Sequence, residues 1–450
     1  MQKKTPPAST RMNAIHLNSF RHMLYEQKGG YLLLPVLIMI ILGLLAFAIP
    51  LLEQHVPAIA ACAKKVSWLA PSDPTMAQIL LAAIAGSCIT VVSVVYSVLL
   101  IALTFASIQF SPRILTSFQK DRVSQGTLGI FNGTFAYCLI LLPHLHTGSR
   151  ANVPTLSLAF ALLLATACLF YLIYFIQHIA LFIQANYIVD RIAKETESVL
   201  RSMFGQPMKD FPLPEEPLVE PATGIAVTSI KSGYIQYIDE SKLLDLAIKD
   251  DVSFHIHRGV GQFIPAGVRC ITIDPVSKDL DRLKREVTGC FQIGAWRTME
   301  DDVEFGTLQL VDIALKAISP AVNDPSTAIS CVDHLSSILI LAATLKPPVS
   351  RLVDANGKLR ITRRQPSFPR LLEIAYNQIR PYGKGDMAVS LRLMRALQDI
   401  SGLTNYGPYL AAIRLQAQRV VTACAGSFAE EDCVELFERL AAIETRQAEP

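Results

Sequence analysis

The chain has 450 residues, 51% hydrophobic and 18% charged, with a mean hydropathy of +0.36. Soluble domains average about 25% charged residues, and this composition excludes a disordered chain, a collagen repeat and a small disulfide scaffold. Residues 1–189 carry 11 of the 41 basic and 4 of the 38 acidic residues, a net +7, and the remainder carries 30 and 34, a net −4. A membrane region followed by a soluble region accounts for that asymmetry.

Residues 1–30 read as a cytosolic tail with an interfacial helix at 15–28, where Phe20, Met23 and Leu24 lie beside Arg21 and Lys28. Four stretches then lack Asp, Glu, Lys and Arg: 29–52, 74–112, 123–149 and 151–189. A helix needs roughly 20 apolar residues to cross about 30 Å of hydrocarbon. Residues 31–190 are therefore predicted to form a transmembrane domain of four helices. The first run begins near residue 31 with no small-residue cleavage site, which argues against a removable leader.

Basic residues set the expected orientation. Lys3, Lys4, Arg11, Arg21 and Lys28 precede the first stretch, Arg113, Lys120 and Arg122 follow the second, and Arg191 and Lys194 follow the fourth. The other two loops offer Lys64 and Lys65, and Arg150 alone. Both termini are expected on the cytoplasmic side of the plasma (inner) membrane. The nine cysteines show no CxxC or zinc-finger spacing, so no metal site is expected.

Along the second stretch, Gly86, Thr90, Ser93, Ser97, Leu100, Thr104, Ser107 and Ser111 recur at steps of four and three, which places them on one helical stripe. All except Leu100 are Gly, Ser or Thr. Such a stripe suits a helix seam, where small residues let backbones approach. It equally suits a water-lined path, which wants small polar groups without fixed charge. Gly86, Thr90, Ser93, Ser97, Thr104 and Ser107 are the candidate pore or seam residues.

The second and fourth stretches are each nearly twice the length a bilayer needs at about 1.5 Å per residue, so both are expected to project as a stalk. The loop after the second stretch reads as an interfacial helix, with Ile114, Leu115 and Phe118 dipping inward and Arg113, Lys120 and Arg122 as candidate lipid-headgroup contacts. In the third stretch, Gly129 and Gly133 form GxxxG, a close-contact motif. Asn132 and His178 are the notable intramembrane polar residues, with His178 expected near the cytoplasmic interface.

The runs ALTFASIQFSPRILTSFQKDRVSQGTLGIFNGTFAY and VEFGTLQLVDIALKAISPAVNDPSTAISCVDHL resemble the predicted-membrane-protein family of domain of unknown function 2254, over roughly residues 20–440. The resemblance implies a bacterial multi-pass membrane protein with a cytosolic C-terminal region. The family brings no assigned reaction, and no catalytic residue is carried over.

Five prolines between 205 and 223 mark a linker, so 191–223 reads as stalk end and Pro-rich linker. Apolar runs at 224–230, 233–238, 252–258 and 268–273, with a short helix at 241–249, predict a small β domain over 224–275. SGYIQYID and GQFIPAGVRCITID resemble the half-motif of biotinyl- and lipoyl-like barrels, but no lysine occupies the hairpin position that would be modified, so no cofactor is expected. His255 and His257 share one face of a strand without a third ligand nearby.

From 276 to 450 the pattern is mainly helical. Val303, Leu308, Val311, Leu315 and Ile318 define a buried stripe, opened by Glu300, Asp301, Asp302 and Glu304 as solvated first-turn charges. Asp324 is placed to cap a helix that starts at Pro325 and runs to about Leu345. The N–H groups there, with Ser326 and Thr327, suit an anion, which Asp324 itself would repel. Residues 346–370 set seven basic residues against Asp354, and Asn356-Gly357 predicts a type I′ hairpin near 351–362. Those cations form either a solvated hairpin face or a contact with anionic headgroups. Without interleaved aromatics, nucleic acid is not an expected partner. Helices are predicted at about 368–380, 385–401, 407–425 and 430–446.

The predicted fold class is a membrane α-helical domain of four transmembrane helices plus a cytosolic α+β region with a small β-barrel-like domain and a helical C-terminal domain. No Walker loop, GxGxxG, GxSxG or HExxH is present, so no enzyme is expected. Two functions remain open: an oligomeric channel or transport-like protein with a cytosolic assembly or gating region, or a membrane-anchored scaffold or sensor that binds a cytosolic partner. The expected partners are the lipid bilayer and further copies of the chain.

Overall fold

A computed structural model describes residues 32–56, 73–109, 121–145, 154–205, 207, 224–275 and 279–446. The chain divides into two compact units, Met1–Gln184 and Ala185–Pro450.

The first unit is built from α1 (Leu33–His55), α2 (Pro74–Gln109), α3 (Arg122–Leu141) and α4 (Thr155–Phe182). These follow the charge-free runs because a helix satisfies its own backbone where no water is available. The least apolar of the four, α3, packs against the other three. Its polar side chains find partners inside: Asn132 Nδ2 donates to Leu128 O at 2.9 Å, and Tyr137 OH donates to Ser157 O at 3.0 Å. The GxxxG pair sets the approach of α1. A Cβ at Gly129 would lie 2.7 Å from Ile38 Cδ1 and 3.1 Å from Pro35 Cα, and one at Gly133 would lie 2.6 Å from Leu42 Cδ1.

The fourth stretch does not continue to residue 189. Ile183 N–H turns back to Ile179 O and Gln184 N–H to Leu181 O, which ends α4. Next, α5 (Ala185–Met203) opens the second unit as an amphipathic helix, burying Ile188, Val189, Ile192, Ala193, Thr196 and Leu200. The change from uniform apolarity to a one-sided stripe is the physical boundary. A count of charges alone hides it.

In the second unit, β1 (Ile225–Thr228), β2 (Gly233–Ile238), α6 (Glu240–Lys249), β3 (Ser253–Ile256), β4 (Phe263–Ile264), β5 (Arg269–Asp274), α7 (Leu280–Thr288) and β6 (Phe291–Gly294) follow in order. After them come α8 (Val303–Ala317), α9 (Pro325–Thr344), β7 (Arg351–Val353) and β8 (Leu359–Thr362). The strands form two sheets, β1-β5-β3-β8-β7 and β4-β2-β6, with β3 and β8 parallel. Ile235, Leu243, Phe254, Ile271, Leu283, Ile293 and Ile361 join both sheets, α6 and α7 in one core.

The described strands thus make two separate sheets rather than the expected barrel, and they draw β6, β7 and β8 from beyond residue 275. Parallel pairing needs a long crossover, and α8 and α9 lie within the one that separates β3 from β8. The hairpin is present, but its turn is not type I′. Gly357 N–H donates to Asp354 O at 3.0 Å, and Gly357, not Asn356, has positive φ, at 78°. Asp354 Oδ1 accepts from Asn356 N and Lys358 N, which favours this wider turn with a glycine bulge.

The helical layer is completed by α10 (Phe368–Tyr376), α11 (Ile379–Gly383), α12 (Met387–Ser401), α13 (Gly407–Cys424) and α14 (Val434–Glu444). Five described helices, not four, are long and apolar enough to cross a membrane, the fifth being α9. It packs against α5, α8, α10 and α12, and its Asp333 pairs with Arg392 of α12. A core helix packed by several neighbours and a membrane span share one composition because both environments are apolar. Its neighbour α8 is buried on most sides, so Leu308 and Leu315 are half-buried while Phe305, Leu310 and Ile313 fill the interior.

The α1–α3 contact generates a prediction. Gly133→Leu should lower the thermal stability of the purified protein by about 1–3 kcal/mol through overpacking. Gly126→Ala, whose Cβ would meet Tyr171 at 3.8 Å, should leave the melting curve unchanged. Equal melting of the two variants would remove the GxxxG contact as the determinant.

Candidate functional site

The stripe on α2 is not covered by the described residues of its unit, and Ile89, Val94, Leu100, Ile101 and Phe105 of the same helix are exposed with it. Gly86, Thr90, Ser93, Ser97 and Thr104 are exposed and Ser107 is half-buried. The opposite face, with Ala77, Leu81, Ala85, Cys88, Val92 and Val95, packs inward. The seam within one chain is therefore made by alanine, leucine and valine. The stripe hydroxyls return to their own helix: Thr90 Oγ1 donates to Gly86 O at 2.8 Å, Ser93 Oγ to Ile89 O at 3.1 Å, Ser97 Oγ to Ser93 O at 2.9 Å, and Thr104 Oγ1 to Leu100 O at 2.8 Å. A Cβ at Gly86 would meet nothing within 4 Å.

Of the expected headgroup contacts, Arg113 and Lys120 lie outside the described residues, and Arg122 is exposed at the first position of α3. Beside it, Asp121 caps α3. Its Oδ2 accepts from Ser124 N at 2.9 Å and from Ser124 Oγ at 2.5 Å, and its Oδ1 lies 3.0 Å from His178 Nε2. His178 is thus tied to a carboxylate from another helix, with its ring between Tyr174 and Phe182. The spacing Asp121-x-x-Ser124 before an apolar run is a cap signature that sequence reading passed over.

In the second unit, a cavity of about 410 Å³ lies where the end of α5, β2, the start of α6, the 259–262 loop, the start of α8 and residues 363–366 meet. One wall is Asp302, which the sequence placed among solvated charges and the structure buries to 4% exposure. It must turn inward because it caps α8, accepting from Phe305 N at 3.0 Å. The same carboxylate accepts from Arg297 Nε and Nη2, both at 2.9 Å. Burial pushes its pKa up to about 6, and Arg297 opposes that rise. Gly261, at φ +80°, passes so close that a Cβ would sit 2.0 Å from Asp302 Oδ2. Also in the lining, Arg363 pairs with Glu240, and burial pulls its pKa down to about 10. Arg364, Glu304 and Tyr237 also line the cavity, and a lining that offers both donors and acceptors suits recognition of a small polar ligand.

The remaining sequence candidates resolve as structure. The His255 and His257 rings lie 4.7 Å apart, each meeting a threonine hydroxyl, Thr362 at 2.6 Å and Thr272 at 2.7 Å. Among the described residues no group of three His, Cys, Asp or Glu gathers as a metal set. At α9, Thr327 N–H and Oγ1 donate to Asp324, so its own cap occupies the helix terminus. Most of the basic segment is neutralised internally: Lys358 by Asp251, Arg360 by Asp354, Arg363 by Glu240 and Arg370 by Glu304.

Asp302 gives a pH prediction. Its folded pKa, about 6, lies above the unfolded carboxyl value of about 4. The folded state therefore holds the proton more tightly, and the stability this group contributes declines as pH rises from about 4 to about 6. The stability of wild type relative to Asp302→Asn should fall as pH rises across that window. A difference that is flat with pH contradicts a buried, titrating Asp302.

The comparisons with known proteins agree that this is a predicted membrane protein. The profile of a family described as a predicted membrane protein (DUF2254) matches residues 28–399. An uncharacterised protein of Mycobacterium bovis is 32% identical over 368 residues, covering 80% of this chain and 70% of the relative. Two uncharacterised proteins of Mycobacterium tuberculosis are 32% and 31% identical with the same coverage. No solved structure matches. The chain belongs to the DUF2254 family of predicted membrane proteins.

Proposed function

We propose that the protein is an oligomeric, non-enzymatic channel or transport-like protein of the bacterial plasma membrane. In this reading α1–α4 span the bilayer, both termini are cytoplasmic, and the second unit is a cytosolic assembly or gating region. One observation carries it: among the described residues, the Gly, Ser and Thr stripe of α2 is left uncovered. Gly86 contributes nothing to packing within the unit, and a small-residue face gains its value when a second backbone or a column of water approaches. α9 is assigned to the core of the second unit, since Asp333 on it is paired with Arg392 there. The scaffold or sensor alternative draws support from the cavity beside Asp302.

Ser97→Leu and Val98→Leu separate these readings, because both positions are exposed and the larger side chains have room within the described unit. Ser97→Leu should dissociate the oligomer measured by light scattering in detergent, or block ion flux in reconstituted vesicles. Val98→Leu should do neither. Unchanged assembly and flux in Ser97→Leu would leave the scaffold reading as the better one.

A further inference from the structure

The helical layer of the second unit holds an open cleft of about 560 Å³ between α11 and the end of α13. Its charged lining is entirely basic: Arg380, Lys384 and Arg419. Elsewhere in this unit, partly buried arginines meet carboxylates, as in Arg282 with Asp250, Arg297 with Asp302, Arg360 with Asp354 and Arg392 with Asp333. Among the described residues, Arg380, Lys384 and Arg419 form no ion pair.

Arg380 is oriented by neutral groups instead. Its Nη1 donates to Gln416 Oε1 at 3.0 Å, and Gln416 Nε2 donates to Asn377 Oδ1 at 3.0 Å. Gln416 is 2% exposed. The guanidinium is thus held in place by a buried amide that leaves its charge uncompensated. Burial first, and then the neighbouring Arg419 charge, push the Arg380 pKa below its ordinary value. Like charges gathered without a counter-ion carry an electrostatic cost that a bound anion removes. Guanidinium forks match pairs of phosphate oxygens, and a lysine adds a point charge.

We propose that this cleft binds a phosphomonoester through Arg380, Lys384 and Arg419. Ligand sites generally span about 300–1,000 Å³, so the volume accommodates a small organic body beside the phosphate. A soluble phosphometabolite and the headgroup of phosphatidic acid offer the same chemistry. The inference stands apart from the role proposed for α2.

Full-length protein in detergent is titrated calorimetrically at constant ionic strength with inorganic phosphate, glycerol phosphate and a short-chain phosphatidic acid below its micelle concentration. Wild type should show saturable binding of a phosphomonoester. Lys384→Gln combined with Arg419→Gln, both at exposed positions, should weaken it about tenfold or more. Arg395→Gln, an exposed cation of α12 outside the cleft, should bind as wild type does. Lipid bound no more tightly than glycerol phosphate assigns a soluble ligand. Tighter lipid binding that the double variant loses assigns a headgroup. No saturable binding of any titrant, or equal weakening in Arg395→Gln, overturns the proposal.

Discussion

At Gly133 the Cα of α3 faces Leu42 of α1 with no room for a methyl group between them, and one turn earlier Gly129 meets Ile38 and Pro35 in the same way. Apolar helices in lipid gain little from burying one another, because hydrocarbon is as good a neighbour as leucine. Close backbone approach and dispersion must hold them instead. With α1 seated on one side of α3, α2 and α4 pack on its remaining sides. Because α3 is central, Thr134, Asn132 and Tyr137 need partners close at hand, and they have them in Cys168, Leu128 O and Ser157 O. The side of α2 that α3 and α4 leave uncovered carries the glycine and hydroxyls together with apolar residues such as Ile89, Val94, Leu100 and Phe105.

The second unit is held by different means. Its core is apolar, but the joints between elements are pinned by carboxylate–guanidinium pairs. Asp302 serves three elements at once, capping α8, gripping Arg297 and bordering the loop at Gly261. Arg360, 5% exposed, meets Asp354 across the hairpin and donates to Val252 O beside β3. Breaking such a pair strands a buried charge, which costs far more than an exposed pair returns. The uncompensated cations beside Gln416 are conspicuous against that background.

Features that depend on one short window were legible in the sequence. Four apolar helices appeared as absence of charge, β2 was found with its boundaries unchanged, and Asp324-Pro325 marked the start of α9. Features that depend on distant partners were not. The break after α4 lies within a charge-free run, and only the packing of Ile188, Ile192 and Leu200 reveals it. The parallel pairing of β3 with β8 joins residues 107 apart, His255 to Thr362. Asp121 and His178 are 57 residues apart. Asp302 looked solvated because its neighbours Glu300 and Asp301 are acidic. Its burial follows from capping geometry and from Arg297, neither of which composition encodes. The wider hairpin turn arose because the Asp354 side chain captured two backbone N–H groups that an Asn-Gly signal leaves out of account.

All eight described cysteines are free thiols in the interior. In the second unit burial raises Cys270 and Cys290 to about 11, and Cys331 and Cys424 are raised as well. Thiolate is the species that reacts with maleimides and peroxide, and these side chains combine enclosure with a proton held well above neutral pH. They are chemical spectators. A reporter thiol introduced on the surface of the second unit would therefore react against a quiet background from these four residues.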